Sequence, residues 1–197
     1  MALTPVIWLL GLSGTGKTTL ASLLRLYLEG QDYSVNFIDA DRFRKQHGFH
    51  GFSPADRMQN ISAIRETALE SQAQGDIVIV AAITPYACMR DLNRELNPLY
   101  REVWVRCSLH TLFERETKGF YARAISGEMD NLTGINATFD VPTHADLIID
   151  TDQEDLVTSY VQLRDLAERA IRDSNSLSDY LHNFNDLYST QALSANF

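Results

Sequence analysis

The chain has 197 residues, 45% of them hydrophobic, so its length and composition fit one well-packed domain and are too small for two ordinary ones. Its formal net charge of -9 at pH 7 argues against binding to a nucleic-acid polymer or an anionic membrane, because both attract basic surfaces. With only two cysteines and no apolar run near the ~20 residues that span a bilayer, the expected compartment is a reducing cytoplasm.

Short apolar runs alternate with longer segments of helical period, which is typical of a parallel sheet covered by helices. Four of the five runs of strand length are rich in the β-branched residues that suit a sheet buried on both faces. The predicted strands are Val6–Leu10, Val35–Ile38, Ile77–Ala82, Glu102–Arg106 and Asp146–Ile149. The sequence therefore predicts an α/β fold with a central parallel five-stranded sheet flanked by helices.

Five helices are predicted between and after these strands. They cover Lys17–Glu29, Pro54–Gln74, Tyr86–Asn97, Leu109 to about Ala124, and Glu154–Arg172. The second helix has clear end signals, because Ser53 can cap its first turn and Gly75 follows its last residue. Residues 1–173 are thus predicted to form the domain, and residues 174–197 a C-terminal tail that is either a docking helix or disordered.

The segment GLSGTGKT, from Gly11 to Thr18, matches the phosphate-binding pattern GxxxxGK[ST] between a predicted strand and a predicted helix. Its backbone N–H groups can point at a phosphate, Lys17 can bridge the β- and γ-phosphates of ATP, and Thr18 can offer its hydroxyl to Mg²⁺. The alternative is a glycine-rich turn without a ligand. The pattern predicts a P-loop kinase whose ATP-binding residues are Gly11, Leu12, Ser13, Gly14, Thr15, Gly16, Lys17, Thr18 and Thr19.

A second group of polar residues follows the second predicted strand, namely Asp39, Asp41, Arg44, Arg57 and Asn60. Because open α/β sheets bind ligands at the carboxyl ends of their strands, the two aspartates should face the same crevice as the phosphate loop. A capping pair at a strand-to-helix turn is the alternative for the aspartates. For Arg57 and Asn60 the alternative is a solvated helix face.

Six stretches, in order, resemble the adenylylsulfate kinase family: GLSGTGKTTLA, DADRFR, GFSPADRMQNI, AAITPYACMRD, ERETKGFYARAISGE and LTGI. The resemblance runs from about Val6 to Asp150 and covers most of the chain. It implies transfer of the ATP γ-phosphoryl group to the 3′-hydroxyl of adenosine 5′-phosphosulfate, which gives 3′-phosphoadenylyl sulfate for sulfate assimilation or sulfonation. It also implies a homodimer, to which the aromatic residues of the tail could contribute.

The resemblance implies roles for single residues. Asp39 and Asp41 match an acidic pair beside the acceptor hydroxyl and the metal, with Asp39 expected as the base and Asp41 as a metal ligand with Thr18. Lys118 matches a residue of a mobile lid over the phosphates, and Arg115 is expected to face either the nucleotide or solvent. The implied substrate-binding residues are Asp41, Arg44, Phe52, Arg57, Asn60, Ile83, Thr84, Lys118, Leu132, Thr133, Gly134 and Ile135.

Among these residues, Phe52 matches an aromatic that stacks on adenine, and a core aromatic is the alternative for it. Leu132 stands where the family has a second stacking aromatic, so the expected binding of a purine base is weaker. Ala40 replaces a glycine between the aspartates, and Thr84 replaces a serine and is expected to contact substrate or cap a loop. Two alternatives therefore stay open: a kinase for another nucleotide conjugate, such as cytidine diphosphoramidate, and a non-catalytic nucleotide-binding module.

Overall fold

Five parallel strands form the centre of the computed structural model, which describes residues 3–115 and 119–194. They are β1 Val6–Leu10, β2 Val35–Asp39, β3 Ile77–Ala81, β4 Tyr100–Arg106 and β5 Leu147–Asp150. Their order is β2-β3-β1-β4-β5, and every neighbouring pair is parallel. The predicted parallel five-stranded sheet is confirmed; β1 has the predicted bounds, and the ends of the other strands lie within two residues of the prediction.

Seven helices surround the sheet in the described part of the chain. They are α1 Lys17–Glu29, α2 Ala40–His47, α3 Pro54–Ala73, α4 Ala87–Leu96, α5 Leu109–Arg115, α6 Phe120–Ile125 and α7 Leu156–Ser194. The expected signals at the start of α3 are present, since Ser53 and Asp56 form a reciprocal capping box and Pro54 lies in the first turn. No described helix combines the length and apolar character that a membrane crossing requires.

The two faces of the sheet are covered by different helices. All five residues of β1 are buried, and the alternation of its side chains divides them between two hydrophobic clusters. Ile7 and Leu9 lie in a cluster with residues of α1 and α7, whereas Trp8 and Leu10 lie in one with residues of α3. Burial on both faces explains why β1 and β3 are continuous apolar runs.

Three predicted helical regions differ from the structure. The helix α2 was not predicted, because its sequence is almost entirely polar and only Phe43 is buried. The predicted single helix from Leu109 to about Ala124 was wrong, since α6 begins anew after Gly119, which has a left-handed φ of 70°. The helix predicted to end at Arg172 continues without a break to Ser194.

The extension of α7 bears on the predicted tail. Ser174 is 1% exposed and its hydroxyl donates to the carbonyl of Ile171, so the helix is still packed on the domain where the tail was predicted to begin. Farther along, Tyr180 is 65% exposed and Leu181 is 44% exposed. The division into a domain and a tail after residue 173 stays a prediction.

Candidate active site

The phosphate loop connects β1 to α1 and approaches the neighbouring strand β4 closely. Gly11 has a φ of 144°, and a Cβ atom on it would lie 2.1 Å from the carbonyl oxygen of Val105. Only glycine fits this position. Gly16 caps α1, whose N-terminus points its free N–H groups into the loop, so the loop presents the anion-binding end of a helix.

Lys17 is folded back onto the phosphate loop. Its side chain is largely buried, and Nζ donates to the carbonyl of Leu12 at 2.6 Å and to Oγ1 of Thr15 at 3.4 Å. Burial lowers the pKa of the Lys17 ammonium to about 8, although the charges of Asp41 and Asp39 act to raise it. The lysine therefore lies beside the place of the phosphates and is held there by neutral oxygens that a phosphate can replace.

The lowered pKa of Lys17 predicts a pH dependence for the free protein. Because the charged ammonium is needed to bind polyphosphate, kcat/KM for ATP should be level below pH ~8 and fall as pH rises through that value. The measurement is a pH profile of kcat/KM for ATP at saturating acceptor. A profile that stays level to about pH 10, the ordinary lysine range, would contradict the prediction.

Asp39 joins the phosphate loop to α2. Its Oδ2 accepts from the Thr18 hydroxyl at 2.7 Å, and its Oδ1 accepts from the backbone N–H of Arg42 as the cap of α2. The capping alternative therefore holds for Asp39, together with a contact to the phosphate loop. Ala40 is the first residue of α2 and has ordinary helical geometry, so alanine in place of glycine causes no strain here.

Arg44 and Phe52 form a stacked pair at the mouth of the site. The guanidinium carbon of Arg44 lies 4.2 Å from the ring centre of Phe52, and its Nη2 donates to the carbonyl of Gly51 at 2.6 Å. Phe52 is 52% exposed, so the alternative of a core aromatic is wrong. The ring offers an apolar surface on which a planar base could stack.

Arg57 and Asn60 are both buried, so the alternative of a solvated helix face is wrong. Arg57 donates from Nε to the carbonyl of Phe52, from Nη1 to Oγ1 of Thr133 and from Nη2 to the carbonyl of Asn131, at 3.0, 2.6 and 2.5 Å. Burial lowers the pKa of this guanidinium. The Oδ1 atom of Asn60 is buried and has no hydrogen-bond partner within the described residues, as expected of an acceptor that a ligand would satisfy.

The segment from Leu132 to Ile135 packs beside the phosphate loop. Leu132 is buried in a cluster with Leu112, Tyr121 and Ala124, and Leu12 and Ile135 pack against that cluster. Gly134 has a φ of 88°, and a Cβ atom on it would lie 2.8 Å from the Leu12 side chain. Thr133 accepts the hydrogen bond from Arg57. A role for these four residues in binding substrate stays a prediction.

Most of the predicted site residues line one cavity of about 350 Å³, here called the Asp41 cavity. The predicted residues in its wall are Ser13, Gly14, Gly16, Lys17, Thr18, Thr19, Asp39, Asp41, Arg44, Phe52, Arg57, Asn60, Ile83 and Thr84. The structure thus brings the phosphate loop, both aspartates and both arginines together around one space. Lys118 lies outside the described residues.

A second cavity of about 430 Å³, here called the Arg115 cavity, lies on the other side of the phosphate loop. Gly14, Gly16 and Thr19 line both cavities. Arg115 donates to Oγ1 and to the carbonyl oxygen of Thr151, at 3.1 and 2.5 Å, and this holds it in the cavity wall. Of the two interpretations of Arg115, the position in this wall favours a contact to a nucleotide.

Comparison with known proteins decides the family. The sequence model of the family described as adenylylsulphate kinase matches residues 4–150 of this chain. The chain belongs to the adenylylsulphate kinase family. The adenylyl-sulfate kinase of Bacillus licheniformis is 42% identical over 151 residues, which cover 74% of this chain and 76% of the relative. A probable adenylyl-sulfate kinase of Archaeoglobus fulgidus is 36% identical, with 76% and 97% covered.

A solved structure of this family has the same fold. The APS kinase of Mycobacterium tuberculosis, in complex with AMPPNP and APS, superposes with a TM-score of 0.77 at 29% identity and covers 85% of this chain and 98% of its own. That protein binds an ATP analogue and APS together. The family membership predicted from the ordered motifs is therefore confirmed.

Sequence reasoning missed several residues of the cavity walls. Thr151, Asp155 and Ser159 line the Arg115 cavity, and the Ser159 hydroxyl is buried without a partner among the described residues. Thr151 directly follows β5, so the rule that ligands bind beyond the carboxyl ends of strands could have identified it. Ser159 lies in the first turns of α7 and carries no motif that would have distinguished it.

Proposed function

We propose that this protein is an adenylylsulfate kinase that transfers the γ-phosphoryl group of ATP to the 3′-hydroxyl of adenosine 5′-phosphosulfate. The observation that carries the proposal is the Asp41 cavity, in which the phosphate loop faces two aspartates, two arginines and an exposed aromatic ring. Phosphoryl transfer requires a donor phosphate and an acceptor hydroxyl held close together in a charged site. One wall of this cavity suits the donor and the opposite wall suits an anionic nucleotide.

On the donor side, the phosphate loop and Lys17 bind the phosphates of ATP, and the base lies in the Arg115 cavity. Gly14 and Gly16 separate the two cavities, so a nucleotide whose phosphates enter the loop can extend its base toward Arg115. The guanidinium plane of Arg115 suits stacking on a purine, and the Ser159 hydroxyl, which has no partner in the part of the chain that the structure describes, suits the polar edge of the base. The place of Lys118 in a lid over the phosphates stays a prediction, because this residue lies outside the described residues.

Magnesium fits the oxygen atoms beside the phosphate loop. The described residues contain no cluster of three or more His, Cys, Asp or Glu side chains that could hold a metal, but Mg²⁺ in kinases needs only one or two protein oxygens with phosphates and water. Thr18 and Asp39 supply such a pair, since their oxygens lie 2.7 Å apart. A bound Mg²⁺ would supply positive charge at the β- and γ-phosphate oxygens.

The hydrogen bond between Thr18 and Asp39 favours different roles for the two aspartates. These roles are the reverse of those that the family resemblance implies. Both Asp39 oxygens are engaged, one by Thr18 and one by the cap of α2. Asp41 is exposed in the first turn of α2 and lines the same cavity. We infer that Asp41 orients the acceptor hydroxyl and takes its proton, while Asp39 serves the metal side.

Arg44, Asn60 and Phe52 hold the rest of the acceptor. The Arg44 guanidinium suits an oxyanion such as the phosphosulfate, and the Asn60 side-chain oxygen, unpaired among residues 3–115 and 119–194, suits a ribose hydroxyl. Arg57 already donates from each of its three nitrogens to the protein, so it contributes mainly by holding Phe52 and the segment at Thr133 in place.

The decisive test is ADP release by the purified protein against a panel of acceptors. We expect turnover with adenosine 5′-phosphosulfate and little or none with cytidine diphosphoramidate, gluconate or shikimate. Turnover with a different nucleotide conjugate would replace the proposed acceptor but keep the kinase assignment. ATP binding without turnover of any acceptor would favour a non-catalytic nucleotide-binding module.

Replacing Phe52 with alanine should weaken acceptor binding. Loss of one stacked base on an aromatic ring costs about 1–3 kcal/mol, so KM for adenylylsulfate should rise roughly 5- to 150-fold with little change in KM for ATP. Steady-state kinetics with each substrate varied in turn measures both values. Tyr33→Ala, at an aromatic 42% exposed outside the cavity, is the matched control and should change neither KM. An unchanged KM for adenylylsulfate in Phe52→Ala would place the base elsewhere.

We also propose a cytoplasmic homodimer that forms through the end of α7. Leu163 and Ala167 of α7 pack on the domain's own core with residues of α1, whereas Tyr180 and Leu181, farther along the helix, are 65% and 44% exposed. Neighbouring exposed apolar side chains near the end of a helix are suited to a contact with a second copy of the chain. Light scattering on the purified full chain measures the oligomeric state, and a monomer at all concentrations would contradict the proposal.

A further inference from the structure

The turn from Ile83 to Pro85 forms part of the wall of the Asp41 cavity and contains a residue in an unfavourable conformation. Thr84 has a φ of 48°, in the left-handed region that β-branched residues rarely adopt. Its side chain is fully buried. A residue persists in such a conformation only where its surroundings hold it, and such residues are concentrated at functional sites.

Two buried side chains hold Thr84 from opposite sides. The indole Nε1 of Trp8 donates to the Thr84 hydroxyl at 2.7 Å, and Nη1 of Arg90 donates to the Thr84 carbonyl at 3.1 Å. Trp8 belongs to β1, which leads directly into the phosphate loop, and the N–H of Gly11 also contacts the carbonyl of Ile83 at 3.4 Å. The turn is therefore tied to the strand that carries the donor loop.

Arg90 also connects this turn to the long segment before β5. Its Nη2 donates to the carbonyl of Asp140 at 2.9 Å, and the N–H of Asp140 donates to the carbonyl of Pro85 at 2.8 Å. The Asp140 carboxylate accepts from the N–H of Ala87 at 2.9 Å, at the start of α4. One guanidinium thus joins the turn to the segment that contains Leu132 and Thr133.

The charge of Arg90 is compensated inside the protein. Arg90 is 4% exposed, and its Nε lies 3.8 Å from Oε1 of Glu102, which is 2% exposed. Glu102 also accepts from Nη2 of Arg94 at 3.3 Å and from the Tyr100 hydroxyl at 3.2 Å. A buried ion pair adds little net stability compared with apolar residues of the same volume, so stability alone is a weak reason for this arrangement.

We propose that Arg90 is a positioning residue for the acceptor nucleotide. Acting through Thr84 and Asp140, it fixes the Ile83–Pro85 wall of the Asp41 cavity against the phosphate loop. This inference rests on the proposed function, because it takes the Asp41 cavity as the acceptor site. It predicts that loosening the Arg90 contacts disturbs acceptor binding and leaves ATP binding unchanged.

The test replaces Arg90 with lysine. Lysine keeps the positive charge beside Glu102, but it lacks the planar guanidinium that reaches the carbonyls of both Thr84 and Asp140. We expect KM for the acceptor to rise about tenfold or more, the scale for loss of charged hydrogen bonds, while KM for ATP stays within about twofold. Arg94→Lys is the matched control, because Arg94 contacts the same Glu102 but neither Thr84 nor Asp140. It should leave both KM values unchanged. Equal changes in the two KM values of Arg90→Lys, or an unchanged acceptor KM, would overturn the proposal.

A second variant decides the matter if Arg90→Lys does not fold. The double variant Arg90→Met/Glu102→Gln removes the contacts of Arg90 to the Thr84 and Asp140 carbonyls without leaving a buried carboxylate unpaired, and Glu102→Gln alone keeps those contacts. We expect the double variant to raise the acceptor KM selectively and Glu102→Gln to leave it near the wild-type value; an unchanged acceptor KM in the double variant overturns the proposal. All KM values are measured with the nucleotide conjugate that the wild-type protein turns over. A wrong acceptor assignment therefore appears in the wild type, and a wrong role for Arg90 appears only in the variants.

Discussion

Replacing Lys17 with alanine should remove nearly all of the turnover. Lys17 is the buried cation of the phosphate loop and lies beside both aspartates of the Asp41 cavity. Removing a preorganised charge that stabilises the transferring phosphoryl group costs about 10²–10³-fold in kcat, the scale for loss of one oxyanion donor. The measurement is ADP release in a coupled assay with adenylylsulfate and ATP.

A companion variant separates charge from packing. Lys17→Met has nearly the same volume, and because burial already disfavours the ammonium, this variant should fold at least as well as the wild type while losing activity like Lys17→Ala. Lys45→Ala, at an exposed lysine of α2, is the matched control and should keep full activity. Near-normal turnover in either Lys17 variant would remove the assignment of ATP to this loop.

The sequence predicts the sheet better than it predicts the polar helices. Strands β1 and β3 are uninterrupted apolar runs of strand length, and β1 and α1 have the bounds that were predicted. By contrast, α2 buries only Phe43, so it has no apolar period to detect. Its signal is local instead: Asp39 caps its start and Gly48 follows its end in a left-handed conformation.

The site residues that belong to sequence motifs were predictable, whereas the tertiary contacts that hold them were not. The resemblance identified four site residues, Asp39, Asp41, Arg44 and Asn60, and the structure places all four around one cavity. It could not reveal that Arg57 is engaged by backbone and side-chain acceptors of segments distant in sequence, because such pairing depends on the fold. The hydrogen bonds around Thr84 were unpredictable for the same reason, because they join residues of β1, α4 and the segment before β5.

The two aspartates offer the sharpest test of mechanism. If Asp41 takes the proton of the acceptor hydroxyl, Asp41→Asn should lower kcat by about 10²-fold or more, the scale for general base catalysis, with little change in KM for ATP. If Asp39 serves the metal side, Asp39→Asn should raise the Mg²⁺ concentration needed for half-maximal activity. Asparagine caps a helix about as well as aspartate, so α2 should be preserved in the Asp39 variant. Kinetics at varied Mg²⁺, ATP and acceptor concentrations distinguish the two effects.

Thr18 provides the internal control for this assignment. Its hydroxyl donates to Asp39 and not to Asp41, so Thr18→Val should shift the Mg²⁺ requirement in the same direction as Asp39→Asn, and Thr18→Ser should restore it. If instead Asp39→Asn lowers kcat at saturating Mg²⁺ without changing the Mg²⁺ requirement, Asp39 is the base, as the family resemblance implied. The hydrogen bond at 2.7 Å would then hold the base in place, and Asp41 would take the metal side.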